Sequence, residues 1–163
     1  MIKKPSELAG GMKVLWYALV ALIAFNLIFI FTQSSLSSEV AGEEAGTVTD
    51  IVVEILPDDT PAEEYAETNM DKIAHFTEYA SLGCFVSLFI CFFGLRLEIL
   101  APFSLLFAEL MAFIDETIQI FSGRNPDIKD MWSDILGFLT LSIITYLAFF
   151  LVKRLLKKEI QNG

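Results

Sequence analysis

The stretch NMDKIAHFTEYASLGCFVSLFICFF, residues 69–93, opens with five groups that seek charge or hydrogen bonds and then runs on as an almost unbroken apolar segment. Those groups are Asp71, Lys72, the chain's single histidine His75, Glu78 and Tyr79. Composition decides what surrounds them. Of the 163 residues 55% are hydrophobic and fifteen are Phe, too apolar for a soluble fold of this size. The chain reads as an integral membrane protein of the all-α class.

A bilayer core of about 30 Å asks for roughly 20 apolar residues per helix. Four segments meet that demand, at about 14–32, 73–95, 99–121 and 131–152, so four transmembrane helices are expected in one domain over 1–163. The first segment is nearly twice the length of a signal-peptide apolar region and lacks a convincing small-residue cleavage site, so it is read as retained. Cys84 and Cys91 share a face of the second helix about 10 Å apart, too far to pair with each other. They read as buried apolar thiols.

Charge placement sets the orientation, because basic loops resist translocation. Lys3, Lys4, Lys13, Arg96, Lys153, Arg154, Lys157 and Lys158 fall on one side, and only Lys72, Arg124 and Lys129 on the other. Both termini are therefore expected in the cytoplasm, with the loops 33–70 and 122–130 outside. The net charge of −10 does not point to a soluble acidic protein, since eleven of the twenty-one acids crowd between Glu39 and Asp71. No continuous basic patch exists, which argues against nucleic acid as a partner.

The acidic outer loop is expected to be partly helical. Val48, Ile51, Val52, Ile55 and Leu56 recur at helical spacing and Pro57 ends the pattern, giving a short amphipathic helix. Thr60, Pro61 and Glu63 then supply an N-cap, an N1 proline and an N3 glutamate, so the second long helix starts well outside the membrane. The competing reading is a disordered acidic linker.

Three polar sets lie at one depth near the outer interface. Asp71, His75 and Tyr79 repeat every four residues; Asp115, Glu116 and Gln119 end the third helix; Asp127, Asp130, Asp134 and Gly137 share a face of the fourth. A charged group at mid-membrane costs about 2.5 to 3.5 kcal/mol even on lenient scales, so such residues turn inward and pair. Convergence on a shared, outward-facing cavity is expected, with Lys72 and Arg124 balancing the carboxylates and Gly137 allowing close approach. Glu109, deeper and on the face of Glu116, is expected to form the floor.

These residues resemble the VanZ-like membrane proteins of bacteria. The resemblance rests on MDKIAHFTEYASLG (70–83) and FIDETIQIFSGRNPDIKDMWSDILG (113–137), with FTQSSLSS (31–38) similar to a Ser-rich segment in that family. It implies functional roles for Lys72, His75, Tyr79, Asp115, Glu116, Gln119, Arg124, Asp130 and Gly137. Asp134 departs from the pattern, where the family usually has Asn. The founding member is linked to teicoplanin resistance, so the resemblance implies an envelope role.

Two function classes share these residues. One is a protein that binds or remodels an envelope lipid or cell-wall precursor, gripped by Arg124 and Lys72 while Tyr79, Gln119, Glu109, Asp130 and Asp134 complete the ligand-binding set. The other is a membrane-embedded hydrolase or transferase with His75 as base or nucleophile, held by Asp115 or Glu116. A divalent cation held by Asp71, Asp115, Glu116, Asp130 and Asp134 would strengthen the enzymatic class. No HExxH, CxxC or GxSxG element specifies a reaction. A transporter ranks third, since four helices would have to oligomerise. The orientation has a direct check: a cysteine placed at position 60 reacts with an impermeant maleimide on intact cells and one at position 160 does not, and the reverse pattern overturns it.

Overall fold

The computed structural model describes residues 8–57, 60–93 and 97–162. Five helices follow in order, α1 (Gly10–Ser34), α2 (Ser38–Ile55), α3 (Pro61–Phe93), α4 (Leu97–Phe121) and α5 (Ile128–Asn162). No strand occurs among the described residues. Helices α1, α3 and α5 are long and apolar enough to cross a bilayer. The expectation of four such spans is met clearly by these three. α4 is as long as α1 and carries Glu109, Asp115 and Glu116 in its second half. Of the basic residues used to set orientation, Lys3, Lys4 and Arg96 lie outside the described residues.

α3 and α5 form the most extensive helix pair, with α1 packed on α3 and α4 on α5. Two glycines explain how closely the central pair approaches. A Cβ on Gly83 would run into the backbone carbonyl of Phe138, and one on Gly137 into the backbone carbonyl of Phe76. Small residues at such a crossing let main chains touch, which substitutes for the hydrophobic driving force that lipid cannot supply. Ser142 Oγ adds a hydrogen bond to the Gly83 carbonyl at 3.2 Å across the same seam.

Around this seam Ile30, Tyr79, Leu82, Ala108, Ala112, Ile135 and Phe138 form one buried cluster drawn from all four long helices. The outward faces of α1, α4 and α5, with Phe25, Phe113, Leu147 and Phe150 among them, are exposed apolar surface, as lipid-facing helices require.

The outer segment is more ordered than the sequence suggests. α2 starts ten residues before the expected amphipathic stretch, because Ser37 caps it by accepting from the Val40 amide and helix-forming residues follow. It ends at Ile55, ahead of Pro57 as expected. Its inward face is rotated from the expected stripe: Ala41, Ala45, Thr49 and Val52 are half-buried, whereas Ile51 and Ile55 are exposed. α3 begins at Pro61 under the Thr60 cap, whose Oγ1 accepts from the Glu63 amide at 3.3 Å. Asn69 leaves helical geometry and kinks α3 just before the polar stripe.

The glycine seam yields a test with opposite signs. Gly83→Ala and Gly137→Ala should each lower stability by about 1 to 3 kcal/mol, as overpacking does. Gly46→Ala, in α2 with open space around it, should be neutral or stabilising by up to about 1 kcal/mol. Thermal unfolding in detergent measures all three.

Candidate functional site

The polar residues form a layer at one end of the bundle, where α1 finishes and α5 begins, and each is held by the helix it sits on. From α3, His75 points Nδ1 at Asp134 Oδ1 of α5 at 3.0 Å, and at Asp115 Oδ2 of α4 at 3.8 Å. Asp115 is held from two sides: Ser34 Oγ at the end of α1 donates to Oδ1, and Gln119 Nε2, one turn on in α4, donates to Oδ2 at 3.0 Å. Asp115 and Asp134 are fully buried, and His75, Gln119 and Ser34 are buried with them. Four helices thus supply one side chain or more to a single connected network.

One helical turn inward the same four helices present Ile30, Tyr79, Ala112 and Phe138, a buried apolar floor. Tyr79 packs into that floor with its hydroxyl unpartnered. The floor is therefore not made by Glu109. That residue is exposed on the outer face of α4, because inward-facing Ala108 and Ala112 occupy the side turned to α5.

The remaining predicted residues flank the network. Glu116 is buried and accepts from the Asp127 amide at 3.1 Å, tying α4 to the turn before α5. That turn is built by Gly123 at φ 78°, where the Arg124 amide reaches back to the Gln119 carbonyl at 3.0 Å and the Gly123 amide to the Ile120 carbonyl at 3.2 Å. This double bond pattern is a glycine-terminated helix end, and it fixes where Arg124 emerges. Asp127 Oδ1 then accepts from the Lys129 amide at 2.9 Å and starts α5. Lys72 pairs with Asp71 at 2.9 Å and approaches Asp130 at 3.9 Å.

Beside the network lies a cavity of about 460 Å³ between α1, α2, α3 and the α4–α5 turn. His75, Arg124, Glu78 and Asp71 line it together with Gln33, Glu44 and apolar Phe29 and Met70. α2 covers it, fastened by Gln33 to Glu44 at 3.0 Å and by Ser38 to the Gly123 carbonyl at 3.4 Å. Arg124 forms no salt bridge among the described residues.

Of the expected metal-ligating set, the atoms that meet are those of Asp115 and Asp134, joined by His75, all within 4.8 Å of one another. Asp71, Glu116 and Asp130 stand apart, taken up by Lys72 and the Asp127 amide. Sequence reasoning left out Ser34 as a partner of Asp115, although it lies in the Ser-rich segment after the first apolar run. It also named Glu78 only as a neighbour of the stripe; the structure places it in the lining of the cavity.

A sequence model described as VanZ/LLP1 matches residues 14–151, from within α1 to within α5, and so takes in every residue of the polar layer. The chain belongs to the VanZ/LLP1 family. No curated protein and no solved structure matches it. In this VanZ-family chain Asp134, the position that departs from the expected Asn, is the closest partner of the only histidine.

Burial separates the carboxylates by consequence. Asp115→Ala leaves Gln119 Nε2 without its partner, and takes one of two acceptors from Ser34 and one of two carboxylates from His75, in a buried layer; it should cost about 3 kcal/mol or more. Asp71→Ala, half-exposed, should cost less than about 1 kcal/mol. Denaturation in detergent with both variants side by side gives the comparison.

Proposed function

We propose that this protein is a plasma-membrane protein of four spans, α4 being the fourth, with both termini cytoplasmic and the cavity facing outward. Its inward-turned Asp115, Glu116 and Gln119 are what a span gains when its polar end is sheltered by neighbours. On this reading the cavity binds or remodels an outer-leaflet envelope lipid or a lipid-linked cell-wall precursor. Its cellular effect would run through the envelope, including susceptibility to teicoplanin-type glycopeptides.

One observation carries the reading: an arginine with no salt bridge among the described residues lines a cavity of ligand size whose lining mixes polar and charged side chains with apolar Phe29, Leu36, Val48 and Met70. Such a site suits an amphiphile. Arg124 would grip a phosphate or carboxylate in bidentate fashion, with Glu78 placed to accept from hydroxyls or amines. Phe29 and Met70 offer a surface for the acyl or prenyl portion.

A second reading has its own support. His75, oriented by a buried carboxylate at 3.0 Å and bordering the cavity, is arranged as a general base is, which favours a membrane-embedded hydrolase or transferase on the same substrate class.

Native mass spectrometry of protein extracted in mild detergent tests the binding reading. An anionic lipid or precursor should accompany the wild type, and Arg124→Ala should reduce its retention by about tenfold or more, since a charge-assisted hydrogen bond contributes about 1.5 to 3 kcal/mol. Equal retention by both proteins, with equal melting temperatures, overturns it.

A further inference from the structure

Asp115 and Asp134 are the two carboxylates with no exposure in the polar layer, and among the described residues no lysine or arginine pairs with either. Lys72, the nearest base on α3, is taken up by Asp71 and Asp130. Two buried acids facing one imidazole carry an excess of negative charge unless a proton or a bound cation offsets it. Independently, Asp134 Oδ2 is buried with no hydrogen-bond partner, and so is the Tyr79 hydroxyl one turn inward. An orphaned carboxylate oxygen inside the compact group of His75, Asp115 and Asp134 calls for a partner.

The geometry identifies its class. One ligand atom each from His75, Asp115 and Asp134 lies within 4.8 Å of the others, and the closest approaches of His75 Nδ1 are 3.0 and 3.8 Å. Ligands about 2.0 to 2.2 Å from a common ion stand roughly 3 to 3.5 Å apart at tetrahedral or octahedral angles, so a small inward movement completes the set. A nitrogen with two carboxylates suits zinc or manganese; calcium asks for six to eight oxygens and magnesium for several waters. Ser34 and Gln119 hold Asp115 from behind, as the outer partners of metal-ligating carboxylates do.

We infer that His75, Asp115 and Asp134 form a three-residue site for one divalent transition-metal cation at the outer end of the bundle. Three protein ligands leave further positions for water or for an oxygen of whatever enters the adjoining cavity, which His75 borders. The inference does not depend on the amphiphile reading.

Untagged protein in detergent, stripped with a chelator and dialysed, is titrated with zinc chloride by calorimetry and loaded with manganese for pulsed electron paramagnetic resonance. One zinc per chain should bind, and His75→Ala and Asp134→Asn should each weaken binding by about 100-fold or more. Cys91→Ser should bind as the wild type does. Because His75 is the only histidine, wild-type protein labelled with ¹⁵N-histidine should show coupling from manganese to a single imidazole nitrogen, a readout that needs no variant to fold. Lack of saturable binding by the wild type, lack of that coupling, or full affinity in both ligand variants overturns the site. Lipid retention is measured on the same preparations: metal without lipid ends the amphiphile reading alone, and lipid without metal ends this inference alone.

Discussion

The contact of α3 with α5 through Gly83 and Gly137 sets the dimensions of everything at the outer end. Each glycine meets a backbone carbonyl of the facing helix, Phe138 and Phe76 respectively, so the two main chains touch where side chains would otherwise hold them apart. His75 precedes Phe76 by one residue and Asp134 precedes Gly137 by three. Their 3.0 Å approach is therefore a consequence of the seam. A methyl group at either glycine would push on the histidine–carboxylate pair as well as on the packing.

From that seam outward the bundle is organised in two layers. The inner layer, Ile30, Tyr79, Ala112 and Phe138, is dry and apolar; the outer layer, Ser34, His75, Asp115, Gln119 and Asp134, is polar and almost as well buried. Burying so many polar groups is costly in a membrane, and each partner lost would expose the others to an unfavourable surrounding. Such groups persist where a bundle shelters them. α2, tied down at Gln33 and Ser38, covers the cavity beside this layer.

Much of the layout was legible in the chain itself. Thr60, Pro61 and Glu63 announce the start of α3, and Pro57 the end of α2, because capping and proline chemistry act within a few residues. The stripe of His75 and Tyr79 and the trio Asp115, Glu116 and Gln119 follow from the pitch of a helix. Less legible was α2: its packed face is chosen by small Ala41 and Ala45 fitting under a neighbour, whereas the stripe of Val48, Ile51 and Ile55 stands largely outward. Hydrophobicity ranks residues by their preference for burial, and close packing ranks them by size.

Periodicity along one helix determined that the chain is a helical membrane protein and which polar residues share a face. Spacing could not decide which of those faces meet. Glu109 and Glu116 lie seven apart, as residues on one stripe do, yet only Glu116 is buried, because the turn before α5 meets it and the Asp127 amide donates to it, while Glu109 stands exposed beside inward-facing Ala108. Ser34 and Asp115 are 81 residues apart and carry no local signal of their hydrogen bond. Asp134 became the partner of His75, ahead of Asp115 and Glu116, through the close approach of two glycines on separate helices, a distance that only the assembled bundle sets.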